Sequence, residues 1–179
     1  MSDTQSPLRL RKKHDGEHFD ATAADGKRLV DAQSIRNATI AGIITIVVFS
    51  ILWAAMTSLL NRFLPWMIVV LGYLLGYAVR RAGHGVDWHL PALAAALAVT
   101  GSLVANIVVA ADYTAETFAT DTLHILQSVT SMTWPVFFDE VLSVADAFYA
   151  VVSAGLAAFL ANRRLTRQQY YALRLYRGD

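Results

Sequence analysis

An all-α membrane protein, a bundle of four transmembrane helices, is what this sequence predicts. Four predominantly apolar stretches occupy residues 38–60, 63–79, 90–111 and 141–161. A hydrocarbon core of about 30 Å takes roughly 17–25 residues at about 1.5 Å each, and all four reach that length. The polar segments between them carry their Lys and Arg almost wholly on alternate sides. Of the 179 residues, 55% are hydrophobic and 16% charged, below the roughly one-quarter typical of soluble domains.

Residues 1–37 form a polar segment expected in the cytoplasm. Its first 20 residues mix charge, Ser, Gly and His without periodicity and read as disordered. Residues 21–37 could extend the first helix, with a break expected at Gly26. The 23-residue run that follows is too long for the apolar core of a secretory signal, so it reads as an uncleaved anchor. Asn61 and Arg62 make a tight connection, and Pro65 falls in the first turn of the second span, where it costs little. The first two spans therefore read as an antiparallel hairpin. Trp66 and Trp88 suit the two membrane interfaces.

Segment 112–140 is the one sizeable loop on the far side. Phe118, Thr122, Ile125, Val129 and Met132 recur at helical spacing, which predicts an extracytoplasmic interfacial or capping helix, ended by Trp134-Pro135. Phe137 and Phe138 would anchor the chain before the last span. Residues 162–179 form a basic amphipathic tail. At 100° per residue Arg163, Arg164, Arg167, Arg174 and Arg177 gather on one side, opposite Leu165, Ala172 and Tyr176. These arginines are the candidate headgroup contacts, worth about 1 kcal/mol each near an anionic surface. Halting translocation or docking a partner are the alternative uses.

With both termini in the cytoplasm, fourteen of the fifteen basic residues lie inside and only Arg62 outside. Residues 112–140 hold no Lys or Arg, but do hold Asp112, Glu116, Asp121, Asp139 and Glu140. An N-in, C-in topology follows.

Lipid gives helices no hydrophobic reason to associate, so close packing uses small residues at four-residue spacing. The candidate packing rows are Gly72 and Gly76, then Ala94, Ala98 and Ser102, then Ala150, Ala154 and Ala158. Asn106 continues the second row and Asp146 precedes the third. Each lies about five residues from the far end of its span, roughly 7–8 Å deep. A buried polar cluster of Asp146 and Asn106 is expected, with Tyr149 or Arg62 as further partners. Asp146 then either sets helix register or serves a transport or proton-relay path.

Little else carries chemistry. His14, Glu17, His18 and Asp20 lack the order of a zinc-protease helix, and Gly16 interrupts them. His84, Asp87 and His89 could hold a metal or an anionic headgroup, but a glycine turn explains their loop more simply. No catalytic residue, metal site or cofactor is expected. The chain has no cysteine, which excludes disulfides and thiolate metal sites. No span contains histidine for bis-histidine haem, and neither a phosphate loop nor a nucleophile elbow is present. A net charge of +1 carries no argument for nucleic acid, which is not an expected partner.

The stretch Gly72-Tyr-Leu-Leu-Gly-Tyr-Ala-Val-Arg-Arg-Ala-Gly-His-Gly-Val-Asp, with the Ala- and Leu-rich span after it, resembles small bacterial multi-pass inner-membrane proteins of unknown function. The resemblance covers about a third of the chain and implies a bacterial inner-membrane location and a four-helix domain. It implies no activity and no site residues. Some such proteins carry a zinc ribbon, which a chain without cysteine does not.

The expected function is non-enzymatic, an accessory or scaffold subunit whose partners are the bilayer and either a second copy or another membrane protein. A small homo-oligomeric transporter or channel using Asp146 is the alternative. A lipid-surface enzyme would have only the His84, Asp87 and His89 loop to work with.

Overall fold

The computed structural model describes residues 21–128, 143–163 and 165–178. Among them all regular structure is helical: α1 Ala23–Asp31, α2 Ile35–Leu60, α3 Met67–Gly83, α4 His89–Thr117, α5 Thr122–Ser128, α6 Val144–Ala161 and α7 Arg167–Arg177. The helix ending at Leu60, α4 and α6 are long and apolar enough to cross a bilayer. α3 has 17 residues and carries Arg80 and Arg81 in its last turn. It rises about 25 Å, slightly less than a hydrocarbon core of about 30 Å.

Local chemistry sets the helix ends. Thr22 and Asp25 form a reciprocal capping box at the start of α1. The chain breaks after α1 at Ala32–Ser34, where the Ser34 side chain accepts from Asn37 N and starts α2. The break expected at Gly26 is absent, because Gly26 lies inside α1 against the Ala172 carbonyl of α7. Asn61 closes α2 in the left-handed conformation that Asn tolerates better than most residues. α3 begins only at Met67, so Pro65 sits in a turn before the helix and not in its first turn. The α2–α3 connection thus runs from Asn61 to Trp66, longer than Asn61-Arg62 alone. It lets Phe63 stack on Trp53, with centroids 5.9 Å apart.

α4 continues past Ala111 to Thr117, so the first residues of the 112–140 segment belong to it. Ala119 then adopts a positive φ, and the short α5 packs back on α4. Val129, Met132, Trp134, Pro135, Phe137 and Phe138 lie outside the described residues, as do the His14–Asp20 run and Arg164.

Helix direction follows from paired contacts. Gly42 meets Leu97 and Gly101 meets Ile46, so α2 and α4 run parallel. Gly72 meets Ser153 and Gly76 meets Ala157, so α3 and α6 also run parallel. Leu71 approaches Gly101 while Gly83 approaches Leu90, which sets α3 antiparallel to α4. α3 and α4 touch each other along the short diagonal of a four-helix rhombus. Among the described residues α2 and α6 share no contact, so they form its far corners. The core centres on Trp53, Ile68, Leu71, Leu75, Val79 and Leu90.

α1 and α7 pack on each other beside the arginine end of the bundle. Gly26 admits the α7 backbone, and Ala172 and Leu173 are buried there. Three polar ties join this layer to the bundle. Ser34 N donates to Gly83 O, Val86 N donates to Gln33 Oε1, and Arg177 pairs with Asp87.

Candidate functional site

Among the described residues the buried polar side chains are Ser50 and Thr57 on α2, Ser102 and Asn106 on α4, and Asp146 and Ser153 on α6. On α4 the buried face contains Ala94, Ala98, Ser102 and Asn106, a single four-residue row. Ser102 Oγ donates to Val99 O at 2.7 Å, which satisfies its hydroxyl within the helix. On α6 the fully buried positions are Asp146, Ser153, Ala157 and Ala161. Ala150, Ala154 and Ala158 flank that face, half-buried. The row that meets Gly72 and Gly76 is therefore Ser153-Ala157, one position away from the expected alanines. Sequence spacing could not choose between them, because both rows are small on an Ala-rich helix.

Asp146 and Asn106 are 4% and 3% exposed. Ser153 and Gly101 share a height, because Gly72 touches the one and neighbouring Leu71 the other. Two turns further, Asp146 comes level with the Asn106–Val108 turn of antiparallel α4. Equal depth does not make a bond, and no hydrogen bond joins the two side chains in the structure. The Asp146 carboxylate instead turns to its own helix start. Its Oδ2 accepts from Ser143 N at 3.0 Å and Ser143 Oγ at 2.6 Å, while Asp146 N donates back to Ser143 Oγ. This capping box also places a carboxylate in the first turn, where the helix dipole favours it. The signature Ser143-Val-Ala-Asp146 was legible in the sequence, and reading 141–161 as one span obscured it.

Asp146 Oδ1, Asn106 Oδ1, Ser153 Oγ, Trp53 Nε1 and Thr57 Oγ1 are buried without a partner. Tyr149 is half-buried against the core, with its ring 5.8 Å from Phe148. Arg62 is exposed and makes no hydrogen bond or ion pair with Asp146.

A carboxylate not expected to bond holds the end of the bundle near α5. Asp112 accepts from Ser58 Oγ at 2.8 Å and from Thr122 Oγ1 at 2.7 Å, linking α2, α4 and the first residue of α5. No motif announces this link, since it depends on the parallel register of α2 with α4.

At the opposite end, the expected headgroup arginines divide. Arg167, Arg174 and Arg177 lie on exposed positions of α7, and Arg177 is committed to Asp87. Arg163 is half-buried and joins Tyr77, Arg80, Arg81 and His84 around a cleft of about 380 Å³. Among the described residues no three His, Asp or Glu side chains gather as a metal-ligand set, the His84, Asp87 and His89 loop included.

The sequence matches no family model and no curated protein, and no solved structure matches the fold.

Proposed function

We propose that this chain is a non-enzymatic integral membrane protein. Four helices, α2, α3, α4 and α6, cross a bacterial inner membrane with both termini in the cytoplasm, and the bundle serves as an accessory or scaffold subunit. One observation carries the reading: the outer face of the bundle is as apolar as its core, and the small and polar residues sit at the helix contacts. Gly72, Gly76, Ser102, Asn106 and Ser153 are buried, whereas Ile43, Ile44, Val47, Val48, Ile51 and Leu52 on α2 are half exposed or more. Such a continuous apolar stripe calls for lipid or a partner helix. The far-corner position of α2 and α6 leaves both with broad outer faces for assembly.

Absence of native cysteine makes the topology directly testable. Single cysteines at Thr22, Thr120 and Gly178 would be challenged with a membrane-impermeant maleimide in intact cells. Labelling of Thr120→Cys alone is expected; labelling of either terminal position would sink the orientation. Mild-detergent purification with mass spectrometry then tests the role. A stoichiometric foreign protein is expected, whereas co-purified metal would point to surface chemistry.

A second reading, a small homo-oligomeric transporter or channel, draws support from the unpartnered oxygens of Asp146, Asn106 and Ser153. It predicts a lone homo-oligomer and solute flux in vesicles that Asp146→Asn abolishes. Flux unchanged in that variant would remove Asp146 from any pathway.

A further inference from the structure

We propose that the cleft formed by Tyr77, Arg80, Arg81, His84 and Arg163 binds a phosphate-bearing anion. Tyr77, Arg80 and Arg81 fall at i, i+3 and i+4 along the end of α3, so they share one helix face, and His84 follows at the helix C-cap. Arg163 arrives from a different element. Gly76 seats against Ala157, and α6 ends four residues later at Ala161, so Arg163 emerges near the end of α3 and lines the same cleft as Arg80 and Arg81. Three permanent positive charges thus meet around about 380 Å³.

Nothing described compensates them. Among the described residues none of the three arginines pairs with a carboxylate, and the nearby loop acid Asp87 is held by Arg177. The α3 C-terminus offers only about half a negative charge. Arg80 and Arg81 are exposed and Arg163 half-buried, so all three forks are open to an incoming anion, and the planar guanidinium fork matches phosphate bidentately. His84 closes α3 in a left-handed conformation, φ 49°, which turns the chain at the rim of the cleft. Tyr77 adds a hydroxyl one turn earlier.

The phosphate can come from an anionic phospholipid headgroup or from a soluble compound. Only the lipid source rests on the four-span reading; the anion chemistry stands without it. The full chain would be placed in phosphatidylcholine nanodiscs with and without phosphatidylglycerol, and lipid retention followed by native mass spectrometry. A parallel titration would use inorganic phosphate on the chain in neutral detergent. Preferential retention of phosphatidylglycerol identifies the headgroup, and saturable phosphate binding without such retention identifies the soluble source. Neither occurring overturns the proposal.

Arg80→Gln/Arg81→Gln/Arg163→Gln is expected to weaken binding about 100-fold, at roughly five-fold per basic residue. Replacing the same three with Lys keeps the charge and the expected fold but loses the bidentate geometry, so binding should fall several-fold. Equal binding by wild type and the Lys variant would overturn chelation by the cleft. In the phosphate titration, where no anionic bilayer is present, Arg167→Gln/Arg174→Gln on exposed α7, outside the cleft lining, should leave binding unchanged; a loss matching the cleft variant would mean diffuse charge and also overturn the proposal.

Discussion

Gly72 and Ser153 stand backbone to backbone: a Cβ added to Gly72 would lie 2.5 Å from the Ser153 carbonyl oxygen and 2.8 Å from its Cα. No side-chain rotation relieves that approach, because both obstacles are main-chain atoms.

Gly72→Ala should accordingly push α3 off α6 and destabilise the bundle by about 1–3 kcal/mol, the usual range for overpacking. Gly155→Ala is the internal comparison, since nothing lies within 4 Å of its Cβ position. It should be neutral or stabilising by up to about 1 kcal/mol through helix propensity. Thermal unfolding in detergent measures both. Equal melting of Gly72→Ala and wild type would show that the α3–α6 contact is looser than described.

Ser143→Ala removes the side-chain half of the α6 capping box and should cost about 1 kcal/mol. Asp146→Asn keeps an acceptor toward Ser143 N and should assemble normally, whereas Asp146→Leu loses the box and should assemble less stably, by about 1–2 kcal/mol. Size-exclusion profiles of the two variants distinguish capping from a need for charge. Failure of Asp146→Asn to assemble would assign the carboxylate's charge a role beyond the cap.

Asp112→Ala strips both Ser58 and Thr122 of their acceptor, and hydrogen bonds to a charged group are worth about 1.5–3 kcal/mol. α5 should detach first, because it is short and contains no buried residue. Hydrogen exchange across residues 122–128 should accelerate while the α3–α6 contact stays protected. Unchanged exchange would mean that packing on α4, and not Asp112, holds α5.

Asp25 gives the start of α1 a pH dependence. The Thr22 hydroxyl and then its backbone N–H hold the Asp25 carboxyl below its ordinary value of 3.8; desolvation opposes them slightly and Arg28 adds a weak pull. The folded value is depressed, so the cap's contribution is complete above 3.8 and fades as pH falls through the lower folded value. Amide exchange at the α1 start should rise in that acid window. Thr22→Ala should remove the dependence; its persistence would assign it to another group.

Apolar run length made the helices legible, because length and composition are properties of each segment independent of its partners. Gly72 and Gly76 were legible as a packing row for a similar reason: Gly at four-residue spacing leaves a flat backbone face whatever sits opposite. The Asp146 cap was written in Ser143-Val-Ala-Asp146, but its helix start could be placed only once Val144 was seen as the first helical residue.

Composition and residue order alone dictate an all-helical chain with apolar spans and small, polar stripes, since those properties follow from local periodicity. Only the folded molecule decided that Ser153-Ala157 receives the glycines, that Asp112 bridges Ser58 and Thr122, and that Arg163 joins Arg80 and Arg81. Each of those pairings depends on the relative register of helices far apart in the chain. Register is set by how surfaces interlock in three dimensions, and no one-dimensional pattern encodes it.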